Sequence, residues 1–278
     1  MGEPAVESGL DDRDVERFLA ALALLTGLDF RSYARRSVHR RLRHLMLQDG
    51  LADLGALGAR VLADRRSAAA FAERVCVNVT SMFRDPGFFA ALRERVVPLL
   101  RELPFFRVWH AGCSSGEEVY SLAILLREEG LHRRARLYAT DIDETALARA
   151  RAGVYPLDVM REYTQQYQRA GGTAAFASYY RASGEGAVLD PALRANVVFA
   201  SHNLATDASF NEFHVILCRN VLMYFDAALQ RRAYDLLSQS LAPGGVLALG
   251  QREVVPSERL DGRYAELDAA HKIYRRVA

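Results

Sequence analysis

The stretch from residue 105 to residue 141 constrains the fold more than any other part of the chain. PFFRVWHAG is a short apolar run that ends in the glycine turn AGCSSGEE, residues 114–129 follow with helical periodicity, and ARLYATD is a second apolar run ending on an acid. Parallel strands cannot be joined by a tight turn and need a crossover, most often a helix. The order apolar run, turn, helix, apolar run therefore predicts a βαβ unit.

The same rhythm continues downstream. A helix is expected at 144–152, strands at 196–200, 213–218 and 246–250, and a helix at 227–241 with Pro243, Gly244 and Gly245 as its stop signal. Two more strand-like runs lie at 264–267 and 271–276. Strands alternating with helices predict an α/β fold, a parallel sheet covered by helices on both faces. Residues 153–195 interrupt the alternation. Within them FASYYRAS and GAVLD flank Gly184-Glu185-Gly186, which reads as a hairpin inserted between a sheet helix and the next strand.

The first segment, residues 10–75, reads as a small all-α domain, joined to the α/β domain (105–278, with its insertion at about 153–195) by a linker and helix at 76–104. Val15, Phe18, Leu19, Leu22 and Leu25 recur at helical spacing, with Asp11 or Asp12 to cap the start and Gly27 to end the helix. A helix near 33–48 buries Val38, Leu42, Leu45 and Met46 and carries Arg36, His39, Arg40 and Arg43 on its other side; shorter helices follow at 51–62 and 67–75. From Arg31 to Arg43 there are six Arg and no acid, a basic face that is either a solvated surface or a docking surface.

Composition limits the function classes. Of 278 residues, 50% are hydrophobic and 25% charged. The chain is therefore neither disordered nor a disulfide scaffold. Net charge is +2, too balanced to predict nucleic-acid binding from charge. Apolar runs fall far short of the roughly 18 residues of a membrane span. The start MGEPAVESGLDD lacks a signal-peptide pattern. A cytoplasmic protein without membrane insertion is expected. Cys76, Cys113 and Cys218 stand far apart, with no His at metal-ligand spacing, and read as buried thiols rather than a metal site.

Chemistry concentrates at the predicted strand ends. Gly112 and Gly116 let the backbone turn tightly, and the helix that follows offers free N–H groups and the positive end of its dipole. A dinucleotide phosphate would suit this turn, as would the carboxylate of S-adenosylmethionine. Asp141, at the end of the second strand, stands where doubly wound folds place an acid on ribose hydroxyls, with Asp143 as competitor or helix cap. Glu118 can receive an ammonium or a ribose, or can simply complement the helix dipole, as can Glu117. Arg219, Asn220 and Tyr224 bunch after an apolar strand, at the end where open sheets bind ligands. Asn78, Thr80 and Arg84 are polar residues in an otherwise apolar connection, NVTSMFRD.

Taken in order, NVTSMFRD, VWHAGCSSGEEVYSLA, YATDIDETALARARAGVY, SHNL, FHVILCRNVLMYF and LAPGGVLALGQRE resemble the CheR family of chemotaxis-type protein-glutamate O-methyltransferases, over nearly the whole chain from Phe18 onward. The resemblance implies a Rossmann-like S-adenosylmethionine-dependent methyltransferase domain with an inserted small β-subdomain, preceded by the all-α domain. It implies that Asn78, Thr80, Arg84, Glu118, Asp141, Asn203, Leu204, Arg219 and Asn220 contact the cofactor and leave S-adenosylhomocysteine as product. It places Asn203 and Leu204 at the adenine side, and Tyr224 near the transferred methyl. The chemistry of a carboxylate acceptor adds a role for an arginine such as Arg84 in orienting it. Met82, Ser115, Val119 and the pair Gln251-Arg252 depart from the family's usual residues, and none is a polar contact named above.

The implied partner is the cytoplasmic helices of a methyl-accepting chemoreceptor, recognised by Arg36, Arg40 and Arg43, with the chain a monomer that binds no nucleic acid. Two rivals stand beside this reading. One is a methyltransferase with a different acceptor, since a fold alone does not fix the acceptor. The other is a non-catalytic module that senses the cofactor or docks to a signalling partner.

Overall fold

Helix α1 (Asp12–Thr26) begins where Asp11 accepts hydrogen bonds from the backbone N–H groups of Arg13 and Asp14, and ends at Gly27, whose φ of 80° a glycine adopts without strain. The computed structural model describes residues 10–75, 80–255, 260 and 262–277. Chain contacts divide it into two units, Met1–Val77 with Tyr224–Leu229, and Asn78–Met223 with Gln230–Ala278.

The first unit is helical. After α1 come α2 (Arg35–Gln48), α3 (Leu54–Val61) and α4 (Arg65–Val75). Phe18, Leu22, Leu42, Leu45 and Phe71 form its core, Phe18 meeting Phe71 edge-on at 5.7 Å. The segment Tyr224–Leu229 packs here as well. Ala34 N–H donates to the carbonyl of Tyr224 at 2.7 Å and Asp226 N–H to that of Ser32 at 2.9 Å, while the Phe225 ring lies edge-on to Tyr33.

The second unit opens with α5 (Pro86–Ala91), a π-helical turn (Leu92–Val96) and α6 (Val97–Arg101). The βαβ unit predicted from the sequence follows as β1 (Phe106–Ala111), α7 (Glu117–Glu128) and β2 (Ala135–Asp141), then α8 (Glu144–Ala152). The insertion contains β3 (Val154–Tyr155), α9 (Met160–Arg169), β4 (Tyr180–Ser183) and β5 (Gly186–Leu189). The chain returns through β6 (Val197–Ser201), β7 (Phe213–Cys218), α10 (Ala227–Ser240), β8 (Leu241–Leu249), β9 (Tyr264–Asp268) and β10 (Ile273–Arg276).

The main sheet has the order β6-β2-β1-β7-β8-β10-β9, parallel from β6 to β8, with β10 antiparallel to both neighbours. Strand order therefore reverses between β1 and β7, the switch point at which open sheets form a ligand crevice. A separate antiparallel sheet, β3-β5-β4, is the small β-subdomain, and β4 and β5 are the arms of the predicted hairpin.

Three elements differ from the sequence reading. Helix α7 starts at Glu117 rather than Ser114. Gly112, Ser114 and Gly116 hold φ values of 81°, 49° and 92°. No right-handed helix accommodates such angles. Strand β8 starts at Leu241 and runs through Pro243-Gly244-Gly245, where the sequence predicts a loop; a register shift against β7 absorbs them. Helix α9 lies in the insertion, where the sequence predicts only a hairpin; Met160, Tyr163 and Tyr167 bury its apolar face.

Candidate active site

The C-terminal ends of β1, β2 and β7 converge on one group of polar side chains, all within the second unit. Glu118, in the first turn of α7, accepts from His110 Nδ1 at 3.1 Å and from Arg219 Nη1 at 3.0 Å. Arg219 sends its other terminal nitrogen to Asp85 at 2.7 Å and to the carbonyl of Arg84 at 3.4 Å. Its guanidinium stacks on the Phe88 ring at 3.8 Å, and its side chain is only 2% exposed. One buried cation thus serves two carboxylates from separate elements. Burial by itself would raise the Glu118 carboxyl, but the hydrogen bond from His110 and the charge of Arg219 outweigh it and hold the group below the usual glutamate value.

Asp141 closes the other side of the glycine turn. Its two oxygens accept from the backbone N–H groups of Ser114 at 2.7 Å and Asp143 at 3.0 Å. Each oxygen keeps lone-pair capacity for a further donor. Burial pushes this carboxyl up, against the pull of those backbone donors. Asp143 caps α8 by accepting from Thr145 and Ala146, so of the two roles open to it in the sequence it takes that of helix cap.

Gly112 is required by close approach as well as by φ. A Cβ there would stand 2.4 Å from Val221 Cγ2, because the turn after β1 lies against the turn after β7. Four of the five non-glycine residues with positive φ among the described residues are Phe83, Asp85, Ser114 and Asn220. All four belong to the segments that build this site. Such strain costs about 1–3 kcal/mol each and collects where geometry serves a ligand.

Buried partners hold the strained segments. Ser121 Oγ accepts from the N–H of Phe83 at 2.8 Å and donates to the carbonyl of Glu117, docking the 80–85 segment on α7. Glu253, 1% exposed, accepts from the N–H groups of Val221 (2.8 Å), Leu222 (2.9 Å) and Gly250. It fixes the turn that carries Asn220, whose φ is 62°.

The remaining predicted residues fall as follows. Thr80 and Arg84 are half-buried, and Asn78 lies outside the described residues. The N–H of His202 reaches the carbonyl of Asp141 at 3.2 Å, placing Asn203 and the buried Leu204 just beyond β6, beside the end of β2. Asn203 Oδ1 accepts from Ala205 N–H and so shapes its own loop. Tyr224, Arg36, Arg40 and Arg43 belong to the helical unit. Of the six Arg between 31 and 43, Arg31 pairs with Asp29, Arg35 with Asp12, and Arg41 with the carbonyl of Arg74. Arg36, Arg40 and Arg43 are exposed on one stripe of α2, spaced i, i+4, i+7. Cys113 and Cys218 are buried and free, and burial raises both thiols far above their usual range; Cys76 lies outside the described residues.

Sequence reasoning missed Asp85, His110, Ser121 and Glu253. His110 interrupts an apolar strand and Glu253 follows one, which is a faint signal for a buried polar role. Asp85 and Ser121 carry none, because their partners are distant in sequence.

Two family models match the chain: the CheR methyltransferase all-alpha domain over residues 13–76, and the CheR methyltransferase SAM binding domain over residues 78–270. A Pseudomonas putida protein named "Putative methyltransferase Cher3" is 44% identical over 95% of this chain and 97% of its own length. The chemotaxis protein methyltransferase 1 of Pseudomonas aeruginosa is 33% identical over 87% of this chain and 90% of its own. The chemotaxis protein methyltransferase of Salmonella typhimurium is 32% identical over 88% and 84%.

Proposed function

Because the chain belongs to the CheR family of S-adenosylmethionine-dependent methyltransferases, we propose that it methylates glutamate side chains of a chemoreceptor or similar signalling protein, forming glutamyl methyl esters. The observation that carries this reading is the Glu118–Arg219–Asp85 network, centred on the buried Arg219, beside Asp141 at the switch point. These residues suit the cofactor's chemistry. Asp141 retains acceptor capacity on both oxygens for two ribose hydroxyls, and Glu118 is held ionised to receive an ammonium. Gly112 and Gly116 keep side chains off the turn. Asn78 and Thr80 close over the nucleoside, Asn203 and Leu204 take the adenine side, and Arg219 and Asn220 complete the wall.

When bound, S-adenosylmethionine supplies a methyl group already activated on a sulfonium. A glutamate acceptor, with an ordinary pKa of about 4.3, is already an anion at neutral pH. The chain therefore needs no general base. Its work is to align the carboxylate and exclude water. Arg84 orients the acceptor and Tyr224 shapes the surroundings of the methyl group. Tight ion pairing would weaken the carboxylate as a nucleophile, so Arg84 acts by positioning.

The names of the relatives support a chemotaxis receptor as acceptor. Among the described residues no helix is long and apolar enough to cross a membrane. We place the protein in the cytoplasm as a monomer, reading cytoplasmic receptor helices with the Arg36, Arg40 and Arg43 stripe. In this scheme residues 10–75 recognise the receptor, 76–104 connect, and 105–278 hold the cofactor and the β-subdomain.

The test is incubation of the chain with receptor-bearing membranes and methyl-labelled cofactor. Glutamyl methyl esters release volatile methanol in mild alkali, so transferred label should become volatile on base treatment. Alkali-stable label points to another acceptor, and binding without transfer points to a sensing module.

A further inference from the structure

Asp85 stands at the N-cap position of α5, immediately before Pro86, where an aspartate ordinarily accepts hydrogen bonds from the first turn of its helix. Here its side chain makes no such bond. Its carboxylate turns instead to Arg219, 134 residues away, at 2.7 Å, and its backbone holds a φ of 57° to do so. A helix cap has been given up, and backbone strain accepted, for one ion pair.

The consequence is electrostatic. Arg219 cannot leave: Phe88 covers its face at 3.8 Å, and its side chain is 2% exposed. With Glu118 as its only carboxylate it would neutralise Glu118. With Asp85 also present, two carboxylates share one guanidinium and the group keeps one net negative charge. His110 Nδ1 also serves Glu118, while its Nε2 is buried without a hydrogen-bond partner. The Asp85 side chain is 34% exposed and that of Glu118 19%, so solvent screens the charge in part, and what remains acts on a ligand beside it.

We infer that Asp85 is a positioning residue that offsets the charge of Arg219, so that the Glu118 carboxylate is not cancelled toward the cofactor, and thereby sets the preference of the site between S-adenosylmethionine and S-adenosylhomocysteine. The two nucleosides share ammonium, carboxylate, ribose and adenine. They differ by a methyl group and by the positive charge of the sulfonium. A residue that acts through charge shifts the ratio of their affinities, whereas one that only supports packing weakens both alike. The inference rests on the cofactor reading above.

The experiment is calorimetric titration of the full chain with each nucleoside separately, without receptor. Asp85→Asn should weaken S-adenosylmethionine about fivefold more than S-adenosylhomocysteine, the order expected of one partly screened charge. Asp85→Glu retains the charge and should keep the affinity ratio within about twofold of the parent, even where both bind less well. Equal weakening of the two ligands by Asp85→Asn, or no weakening, overturns the inference. If Asp85→Asn does not fold, Asp85→Glu decides: a ratio shifted away from S-adenosylmethionine by more than about twofold overturns it, and a preserved ratio supports it. Failure of the parent to bind either nucleoside would overturn the cofactor reading itself.

Discussion

The guanidinium of Arg219 lies 3.0 Å from the carboxylate of Glu118, although 101 residues separate them. The contact joins the end of β7 to the first turn of α7, across the point where strand order reverses. The site is therefore welded to the sheet rather than carried on a free loop, and its response to substitution can be worked out residue by residue.

Asp141→Ala should weaken binding of S-adenosylmethionine by roughly 10- to 150-fold, the equivalent of about 1.5–3 kcal/mol for a charged hydrogen-bond partner. The pH dependence follows from the burial that raises this carboxyl. Protonation removes acceptor capacity, so affinity in the parent should fall with decreasing pH through a value above the ordinary aspartate range. Calorimetry on parent and variant across that range checks both statements. Unchanged affinity in the variant would remove Asp141 from the site.

Gly112→Ala should destabilise the chain by about 2–5 kcal/mol, combining left-handed strain with overpacking. The added Cβ would meet Val221 Cγ2 at 2.4 Å while φ stays at 81°. Val221→Ala relieves the overlap but not the φ, so the double variant should melt above Gly112→Ala and below the parent. A double variant no more stable than Gly112→Ala would show that the contact does not matter.

Glu128 ties the insertion to the sheet domain. It accepts from the hydroxyls of Tyr167 and Tyr179 and from the N–H of Thr173, and pairs with Arg93, with a side chain 5% exposed. Glu128→Gln removes one of the two carboxylates that Arg93 faces, the other being Glu129 at 2.8 Å, and should cost about 1–3 kcal/mol through the weakened buried hydrogen bonds. Burial would raise this carboxyl, but the Tyr167 and Arg93 bonds prevail and lower it. A lowered folded-state value means the stabilisation is complete above the unfolded value of about 4.3 and is lost as pH falls below it. Urea unfolding should show the parent losing stability more steeply than the variant in that acid window.

Reversing Arg36, Arg40 and Arg43 to Glu should leave calorimetric cofactor affinity unchanged and raise the apparent KM for receptor fragments. Exposed charges steer and set register more than they add affinity. In the parent, methylation should also fall as salt rises and the Debye length shrinks from about 10 Å at 0.1 M. Steady-state methylation at two salt concentrations compares the proteins. Identical kinetics and salt dependence would leave the stripe a solvated surface.

What the sequence alone determined is local in origin. The apolar run into Gly112, the helical periodicity of 114–129 and the acid ending ARLYATD depend on neighbours a few residues away, and β1 and Asp141 stand where those signals put them, with α7 starting three residues later than its periodicity suggests. The caps at Asp11 and Asp143 were among the alternatives that local sequence offered, and the structure chose them. Tertiary structure alone decided the pairings between distant segments. No local pattern tells Asp85 to abandon its helix for Arg219, or brings Tyr167 and Tyr179 to Glu128. Nor does one assign Tyr224–Leu229 to the helical unit, or extend β8 back through Pro243. Propensity acts over one or two turns of chain. A buried charge, by contrast, must find its partner wherever the packed sheet delivers one. Here the sheet brings together the ends of strands more than a hundred residues apart.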